Sequence, residues 1–388
     1  MKELIVSLSI LALTFTGCST TDDEETLQPI EGEITGSITT NKTYAFGNYT
    51  LSGIVTIESG VTVTFDAGSK ITANANNGVD ALVVKAGGKL IINGTASQPV
   101  VFTEPSATPG SWGGIIMYGD APINGSGATT TRTSEDGLNL PYGGSNPTHN
   151  GGALRYVRVE YAGKKITDGT SEMNGFSFYS VGSGTVLDHL VSYKGADDGF
   201  EWYGGTVSGT NLISFGNYDD SFDWQDGWQG QNNSNWYVYQ EGIGNFGMEI
   251  EASNNDNAYF PKIANITLKR APGTVTEGGS SAAEYDAIQF KKDGNGDFTN
   301  ITIAGYTTSG ATAVRIQDAR TNTNQVNGGK IKLTSVKIND TSTSKSAAAG
   351  TLFTVTFLDS NYTLNSNATG ASLTAGNWAT VNGATLIK

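Results

Sequence analysis

Several residue types with distinctive chemistry or backbone effects are scarce in this chain. Its 388 residues include one cysteine, two histidines and nine prolines. A single cysteine excludes an internal disulfide framework, and the sequence has no zinc-ligand spacing. Nucleophile elbows and phosphate-binding glycine loops are absent as well. The sequence therefore gives no evidence for a zinc enzyme, a nucleotide-binding protein or a hydrolase with a nucleophile elbow.

Glycine and acidic residues, by contrast, are abundant. The 51 glycines, together with many Thr, Val, Ile, Asn and aromatic residues, favour short strands joined by tight turns. The formal net charge is −14 at pH 7. This charge opposes nucleic acid and anionic lipid as partners, and it is compatible with cations or neutral sugars.

The N-terminus has the layout of a secretory signal. Lys2 is followed by an apolar run at residues 4–15, which is too short to span a bilayer comfortably, and then by small residues directly before Cys18. Phe15-Thr16-Gly17-Cys18 resembles the lipobox of bacterial lipoproteins, in which the cysteine is acylated. We therefore expect residues 1–17 to be removed and Cys18 to anchor the protein in a membrane through lipid.

An acidic segment follows the cysteine. Ser19-Thr20-Thr21-Asp22-Asp23-Glu24-Glu25 resembles the export signal that sends lipoproteins of the Bacteroidota to the cell surface. An ordinary solvated tether would have the same composition. The predicted organisation is a signal peptide at 1–17, a flexible tether at 18–33 and one domain at 34–388. The expected location is the outer membrane, facing the cell exterior.

An internal repeat predicts the fold. Asp197-Asp198-Gly199-Phe200-Glu201-Trp202 recurs 22 residues later as Asp219-Asp220-Ser221-Phe222-Asp223-Trp224, and related segments occur along most of the chain at spacings of about 22–28 residues. Repeats of this size with short strands and no helical period are typical of a β-solenoid. We predict an all-β chain folded as a right-handed parallel β-helix.

Side-chain alternation along the repeated strand separates two apolar inward rows from a polar outward row. The first inward row is Phe176, Phe200, Phe222, Met248, Ile288 and Val314. The second is Phe178, Trp202, Trp224, Ile250, Phe290 and Ile316. The outward row is Ser177, Glu201, Asp223, Glu249, Gln289 and Arg315.

Two spacings are too long for plain rungs and predict two inserted loops. One lies between Gly114 and Ala153 and includes residues 119–152. The other lies between Gly247 and Ala287 and includes residues 251–284. Insertions on solenoids often form the binding surface. Residues 345–388 still have the pattern of short strands and are expected to cap the β-helix.

Paired aspartates on two adjacent rungs form a candidate metal site. Asp197 and Asp198 should lie next to Asp219 and Asp220, and stacked carboxylates repel one another unless a cation lies between them. Hard oxygen ligands suit Ca²⁺. Alternatively, each aspartate binds the backbone of its own turn, as Asp commonly does.

Aromatic residues are dense between Tyr218 and Tyr239, and sugar rings are commonly held by stacking on such side chains. Trp202 and Trp224 follow the inward register and are expected in the core. Trp228 lies in a polar turn between Asp226 and Gln229, so these three residues are candidates for glycan binding. Packing of Trp228 against a neighbouring rung is the alternative.

Hydrolysis or elimination requires a positioned acid and base. Glu201, Asp223 and Glu249 in the outward row are the candidate catalytic carboxylates, although their spacing is typical of no particular enzyme class.

A family resemblance rests on residues 195–205 and 219–224, and on the earlier Ser111-Trp112-Gly113-Gly114-Ile115. Over residues 45–340 the chain resembles a family of β-helix outer-membrane lipoproteins found in Bacteroidota, other Gram-negative bacteria and spirochaetes. More distantly, it resembles the pectate-lyase-like superfamily. The resemblance implies a fold and a location, and it implies no catalytic residues.

The sequence is compatible with three functions. The first is a non-catalytic surface module for binding or adhesion, with glycan as the expected ligand. The second is a polysaccharide lyase or glycoside hydrolase that acts on the same face. The third is a purely structural component of the cell surface. No nucleic-acid partner is expected.

Overall fold

The computed structural model describes residues 28–74, 78–166, 172–256, 260–279, 284–340, 343–348 and 350–388. Within these residues, twenty-four strands join through parallel pairing, and two short antiparallel pairs lie outside this arrangement. Strand pairing of this kind forms a right-handed parallel β-helix, as the repeat predicts.

The strands are short, and most of them pair with the equivalent strand of the next rung. The first nine are β1 (Ile30–Ile38), β2 (Lys42–Tyr44), β3 (Gly47–Ile57), β4 (Thr62–Asp66), β5 (Lys70–Ala73), β6 (Ala81–Val84), β7 (Lys89–Asn93), β8 (Val100–Thr103) and β9 (Ile115–Tyr118). The next nine are β10 (Arg132–Thr133), β11 (Pro141–Tyr142), β12 (Gly152–Glu160), β13 (Phe176–Tyr179), β14 (Val186–Tyr193), β15 (Phe200–Tyr203), β16 (Gly209–Phe215), β17 (Phe222–Gln225) and β18 (Asn233–Gln240). The last ten are β19 (Met248–Ile250), β20 (Lys262–Arg270), β21 (Ile288–Phe290), β22 (Gly296–Ala304), β23 (Thr312–Ile316), β24 (Ile331–Asn339), β25 (Thr343–Ala347), β26 (Tyr362–Leu364), β27 (Thr380–Val381) and β28 (Ala384–Thr385).

Helical segments are few and short among the described residues. They are a 3₁₀ turn at Glu277–Gly279, an α-helical turn at Ala319–Thr321, a π-helical turn at Asn322–Val326 and a 3₁₀ turn at Asn377–Ala379.

The strands form three parallel sheets around one core. Sheet A contains the second half of β3 followed by β6, β9, β13, β15, β17, β19, β21, β23 and β25. Sheet B contains β2, β4, β7 and the first halves of the long strands β12, β14, β16, β18, β20, β22 and β24. Sheet C contains the first half of β3, then β5, β8 and the second halves of the same long strands.

Each long strand turns a corner between sheets B and C at a residue in the left-handed conformation. Asparagine is the commonest residue at this corner, because its side chain tolerates positive φ better than most. Asn235 donates to the Asn211 side chain at 3.1 Å, and Asn300 donates to the Asn265 side chain at 2.7 Å. The corner residues are Tyr156, His189, Asn211, Asn235, Asn265, Asn300 and Ser335, with φ between 51° and 63°.

The core contains both predicted inward rows, and every member of those rows is buried. Phe200 lies between two rings of the same row, with ring centroids 4.9 Å from Phe176 and 5.3 Å from Phe222. Trp236, which enters from β18, packs 4.4 Å from Phe222. Stacked rungs thus bury continuous apolar ladders that no single rung could bury alone.

The two insertions differ in how closely they follow the sequence prediction. Residues 119–151 form an excursion that contains the antiparallel hairpin of β10 and β11. The expected second loop at 251–284 is wrong as one segment, because β20 lies inside it and pairs with β18 and β22. The additional residues are therefore divided between 251–261 and 271–287.

The N-terminal boundary of the domain lies earlier than predicted. Strand β1 begins at Ile30, inside the tether assigned to 18–33, and pairs with β3. Cys18 and the signal segment lie outside the described residues. Among the described residues, no helix has the length and apolar character needed to cross a membrane.

The expected C-terminal cap is wrong in part, because the last residues return along the outside of the solenoid. The Asn365 side chain donates to Ser335 at 2.8 Å, and Thr369 donates its backbone N–H to Asn300. Further along, Trp378 packs 4.8 Å from the His189 ring. This segment, residues 365–388, is called the C-terminal strap. It covers an apolar outer surface of sheet C that includes Val191, Ile213, Phe215 and Tyr237.

Candidate functional site

A cleft of about 600 Å³ opens on the outer face of sheet A. Its floor is the predicted outward row, since Glu201 pairs in register with Asp223, and Asp223 pairs with Glu249. Parallel pairing places these side chains about 4.8 Å apart along the solenoid. The alternation of the repeated strand thus brings the three candidate catalytic carboxylates together.

The walls of the cleft come from turns and insertions. The lining contains twelve carboxylates and three lysines. The carboxylates are Glu135, Glu172, Asp197, Asp198, Glu201, Asp219, Asp220, Asp223, Glu249, Glu251, Glu277 and Glu284, and the lysines are Lys165, Lys291 and Lys292. The negative charge of the chain is therefore concentrated in one concave site.

In each of the two aspartate pairs, Asp197-Asp198 and Asp219-Asp220, the first and the second member make different contacts. Asp198 accepts the backbone N–H of Asp220 at 2.8 Å, and Asp220 accepts the backbone N–H of Phe246 at 2.6 Å. These second members join one rung to the next. The expectation that each aspartate binds its own turn is therefore incorrect for them, although they do bind backbone.

The first members of the pairs face the cleft. Asp219 accepts a hydrogen bond from the Asn245 side-chain amide. Asp197 is 3% exposed and lines the cleft, and no hydrogen bond or ion pair from the described residues reaches its carboxylate. On the floor, one oxygen of Asp223 is also buried without a partner. One carboxyl oxygen on the cleft floor thus lacks the partner that a buried polar atom normally has.

Burial and neighbouring acids raise the pKa values of several lining carboxyl groups. The pKa of Glu201 rises to about 8 through burial and the proximity of Glu135. The pKa of Asp219 rises to about 7 through burial, Glu277 and Glu249. Burial, followed by Glu172 and Asp219, raises the pKa of Asp197 well above its ordinary value. Without a counter-charge, these acids cannot all ionise at neutral pH.

The carboxylates form four overlapping groups whose oxygens lie within 4.8 Å of one another. The groups are Glu172 with Asp197 and Asp219; Asp198 with Asp219 and Asp220; Asp198 with Glu201 and Asp223; and Asp220 with Asp223 and Glu249. The four aspartates predicted as metal ligands are thus close together. Occupancy by a cation stays a prediction.

Glu201 and Glu135 form a second carboxylate pair at one end of the cleft. The Gln225 amide donates to Glu201 at 3.1 Å and to Glu135 at 3.2 Å. Glu201 also accepts hydrogen bonds from Asn174 at 2.7 Å and from the Tyr203 hydroxyl. Glu135 lies in the hairpin insertion, far from Glu201 in the sequence, so the repeat gave no indication of this pairing.

The prediction that Trp228 is an exposed sugar platform is wrong. Trp228 is 0% exposed, stacks 4.9 Å from Trp202 and donates its indole N–H to the Val207 carbonyl at 2.9 Å. Asp226 and Gly227 before it both have positive φ, and this local reversal directs the ring into the core. The alternative, packing against a neighbouring rung, is correct.

Asp226 is a structural residue, and Gln229 lies outside the cleft. Asp226 is fully buried and accepts hydrogen bonds from Arg132 at 2.7 and 2.9 Å, Tyr142 at 2.6 Å and Ser253 at 2.6 Å. The backbone N–H of Gln229 donates to the Gly205 carbonyl, and neither residue lines the cleft. Asp226 therefore holds the hairpin insertion in place and does not line the cleft.

Comparison with known proteins gives one result. A family model described as a pectate-lyase-like β-helix domain matches residues 32–382, which is nearly the whole chain. No curated protein and no solved structure matches the chain. The more distant of the two resemblances is thereby confirmed, and the closer one, to outer-membrane lipoproteins, stays a prediction.

Proposed function

We propose, from the premise that this chain belongs to the pectate-lyase-like β-helix domain family, that it is a surface-anchored lipoprotein whose acidic cleft binds a glycan without cleaving it. Family membership supports a carbohydrate-related role. The observation that carries the proposal is the cleft itself, which is concave and almost entirely polar along its lining. Hydroxyl groups of a sugar are donors, and carboxylate and amide oxygens are suitable acceptors for them.

The lining also restricts the class of glycan. The lining has twelve carboxyl groups and three lysines. This excess of acidic groups repels a polyanionic glycan and permits binding of neutral or amino sugars. The two lining aromatic residues, Tyr203 and Phe246, are both buried, so stacking on an exposed ring contributes nothing within the described lining. Recognition is therefore expected to depend on hydrogen bonds and charge.

Asp223→Asn is expected to weaken glycan binding about tenfold, because it replaces one carboxyl oxygen on the cleft floor by an amide nitrogen that cannot accept a hydrogen bond. The measurement is affinity electrophoresis of the mature chain through neutral and amino polysaccharides. Asp340→Asn is the matched control, since Asp340 is exposed outside the cleft and undergoes the same chemical substitution. Equal retardation of the two variants would place binding elsewhere, and no retardation of the native chain would favour a purely structural surface component.

One observation favours an enzyme as the second candidate function. Glu201, with a pKa raised to about 8, is protonated at neutral pH, and the carboxyl group of Glu135, whose pKa burial also raises, lies beside it. An acid and a neighbouring carboxylate are the groups that glycoside hydrolysis requires. Assays for reducing ends and unsaturated products in the same polysaccharide panel separate the two functions. Turnover that Glu201→Gln abolishes would establish the enzyme, and binding without products supports the module.

Anchoring through Cys18 has its own test. Cys18→Ser is expected to leave the β-helix folded and to release the protein from membranes, because the lipid attachment is chemically separate from the core. The measurement is the distribution between membrane pellet and supernatant after a salt wash. A variant that still sediments with membranes would contradict the lipoprotein assignment.

A further inference from the structure

We infer that the protein forms a two-fold dimer in which residues 352–358, at the C-terminal end of the solenoid, pair antiparallel with the same residues of a second copy. This inference goes beyond the proposed function and does not depend on it, since none of these residues lines the acidic cleft. It rests on an extended segment without a partner strand, on exposed leucines and on the palindromic sequence of that segment.

Residues 352–358 are extended but belong to none of the paired strands of the β-helix. Their side chains alternate, because Phe353, Val355 and Phe357 pack against the core while the other four residues are exposed. Alternation of this kind is that of a β-strand. Within the described part of the chain, no backbone N–H group of this segment donates a hydrogen bond. The segment is therefore a strand whose backbone is available for pairing.

The sequence of the segment identifies the partner. Leu-Phe-Thr-Val-Thr-Phe-Leu is the same in both directions, with Val355 at its centre. Antiparallel pairing of two copies about Val355 therefore places every residue opposite one of its own kind. Leu352 of one copy lies opposite Leu358 of the other, Phe353 opposite Phe357, and Thr354 opposite Thr356. Aromatic and threonine pairs across strands are favourable, so a second copy matches this segment at every position.

Exposed leucines lie at the same end of the solenoid. Leu352 is 102% exposed and Leu358 is 54% exposed, and the antiparallel pairing places them opposite each other. Leu364, in the neighbouring β26, is 64% exposed. Burial of such side chains favours association, and exposed apolar patches mark interaction sites.

The N-terminal end of the solenoid is protected against such pairing. Strand β1 contains Glu31 and Glu33, and its register with β3 shifts between Thr35 and Ser37. Charged side chains and bulges keep edge strands from pairing with other chains. Residues 352–358 contain no charged residue, no proline and no glycine. Pairing of two C-terminal ends is therefore favoured over pairing of a C-terminal end with an N-terminal end.

Repulsion between two acidic copies is also weakest at this end. The whole chain has a net charge of −14. Residues 330–364 contain four lysines and two aspartates, so their net charge is +2 (4 − 2). The carboxyl groups of the cleft lie on other rungs. Contact through the C-terminal end thus avoids the region where like charges are concentrated.

The test is sedimentation velocity of the mature chain carrying Cys18→Ser, in which neither lipid nor a disulfide can join two copies. We expect a monomer–dimer equilibrium with a Kd of about 10⁻⁵ M, because seven paired residues form an interface below the standard size. Well below that concentration the chain is monomeric, and its unfolding is that of a single copy.

Two charge variants test the register. Thr354 and Thr356 are exposed in the single copy and lie opposite each other in the antiparallel dimer. Thr354→Lys combined with Thr356→Lys places like charges opposite each other and should raise the Kd about tenfold or more. The added lysines lower the net negative charge, so only repulsion at the interface explains such a loss. Thr354→Lys combined with Thr356→Glu places opposite charges there and should keep the Kd within about threefold of the native value.

Thr307→Lys combined with Thr308→Lys is the matched control, since both threonines are exposed outside the segment. It should dimerise like the native chain, and circular dichroism checks that each variant is folded. A native chain that stays monomeric at the highest soluble concentration overturns the inference, as does a dimer that the lysine pair at 354 and 356 leaves unchanged. Oligomers that grow beyond the dimer contradict a closed two-fold contact. Equal weakening by both charge variants contradicts the antiparallel register.

Discussion

Phe200→Ala is expected to lower the free energy of unfolding by about 3–5 kcal/mol. Phe200 is fully buried and lies between the rings of Phe176 and Phe222 in one inward row. Truncation removes its transfer free energy and leaves a cavity that both neighbours line. The parallel rungs above and below are held by backbone hydrogen bonds, so they can relax little into that space.

Urea denaturation followed by far-UV circular dichroism measures this loss. Leu352→Ala is the matched control, because Leu352 is fully exposed and its truncation should change stability by less than about 0.5 kcal/mol. A loss below about 1 kcal/mol for Phe200→Ala would mean that the inward row is not a packed core.

Asp226→Ala is expected to cost about 2–3 kcal/mol, less than the full cost of breaking a buried ion pair because the Arg132 side chain is 32% exposed. Without the carboxylate, Arg132, Tyr142 and Ser253 all lose their shared acceptor. Two of them lie in the insertion at 119–151. We therefore expect that insertion to open locally while the rungs stay folded.

Hydrogen exchange of residues 119–151 measures this opening. Asp226→Asn is the control, since asparagine tolerates the positive φ at this position and retains one acceptor oxygen. It should lose less protection than the alanine variant. Unchanged exchange in Asp226→Ala would show that the insertion is held by other contacts.

The repeat made the fold predictable to the level of individual side chains. The offset between Phe200 and Phe222 equals one rung, and the two residues pair in register in the structure. Alternation then placed Trp202 inside and Glu201 outside, and both assignments agree with the structure. A solenoid permits this because each rung contacts its neighbours in the same way.

The parts of the site that do not repeat could not be predicted. Glu135 reaches Glu201 through an insertion, and Trp228 turns inward after two consecutive residues with positive φ. The C-terminal strap covers outer residues such as Val191 that simple alternation would leave in solvent. In each case a contact distant in sequence, or a local backbone reversal, overrides the strand pattern.

The contacts of the aspartate pairs were predictable only in part. The repeat correctly placed Asp197 and Asp198 next to Asp219 and Asp220. The repeat could not distinguish the first aspartate of each pair from the second. Backbone N–H groups of the next rung donate to Asp198 and Asp220, and they do not donate to Asp197 and Asp219. The distinction depends on turn geometry rather than on residue type.

The most direct test of the acidic cleft as the binding site is a crystal structure of the mature chain grown with an oligosaccharide from the binding screen. We expect density for the sugar in this cleft, with its hydroxyl groups against the lining carboxyl groups. An empty cleft with the sugar bound to another face of the solenoid would contradict it.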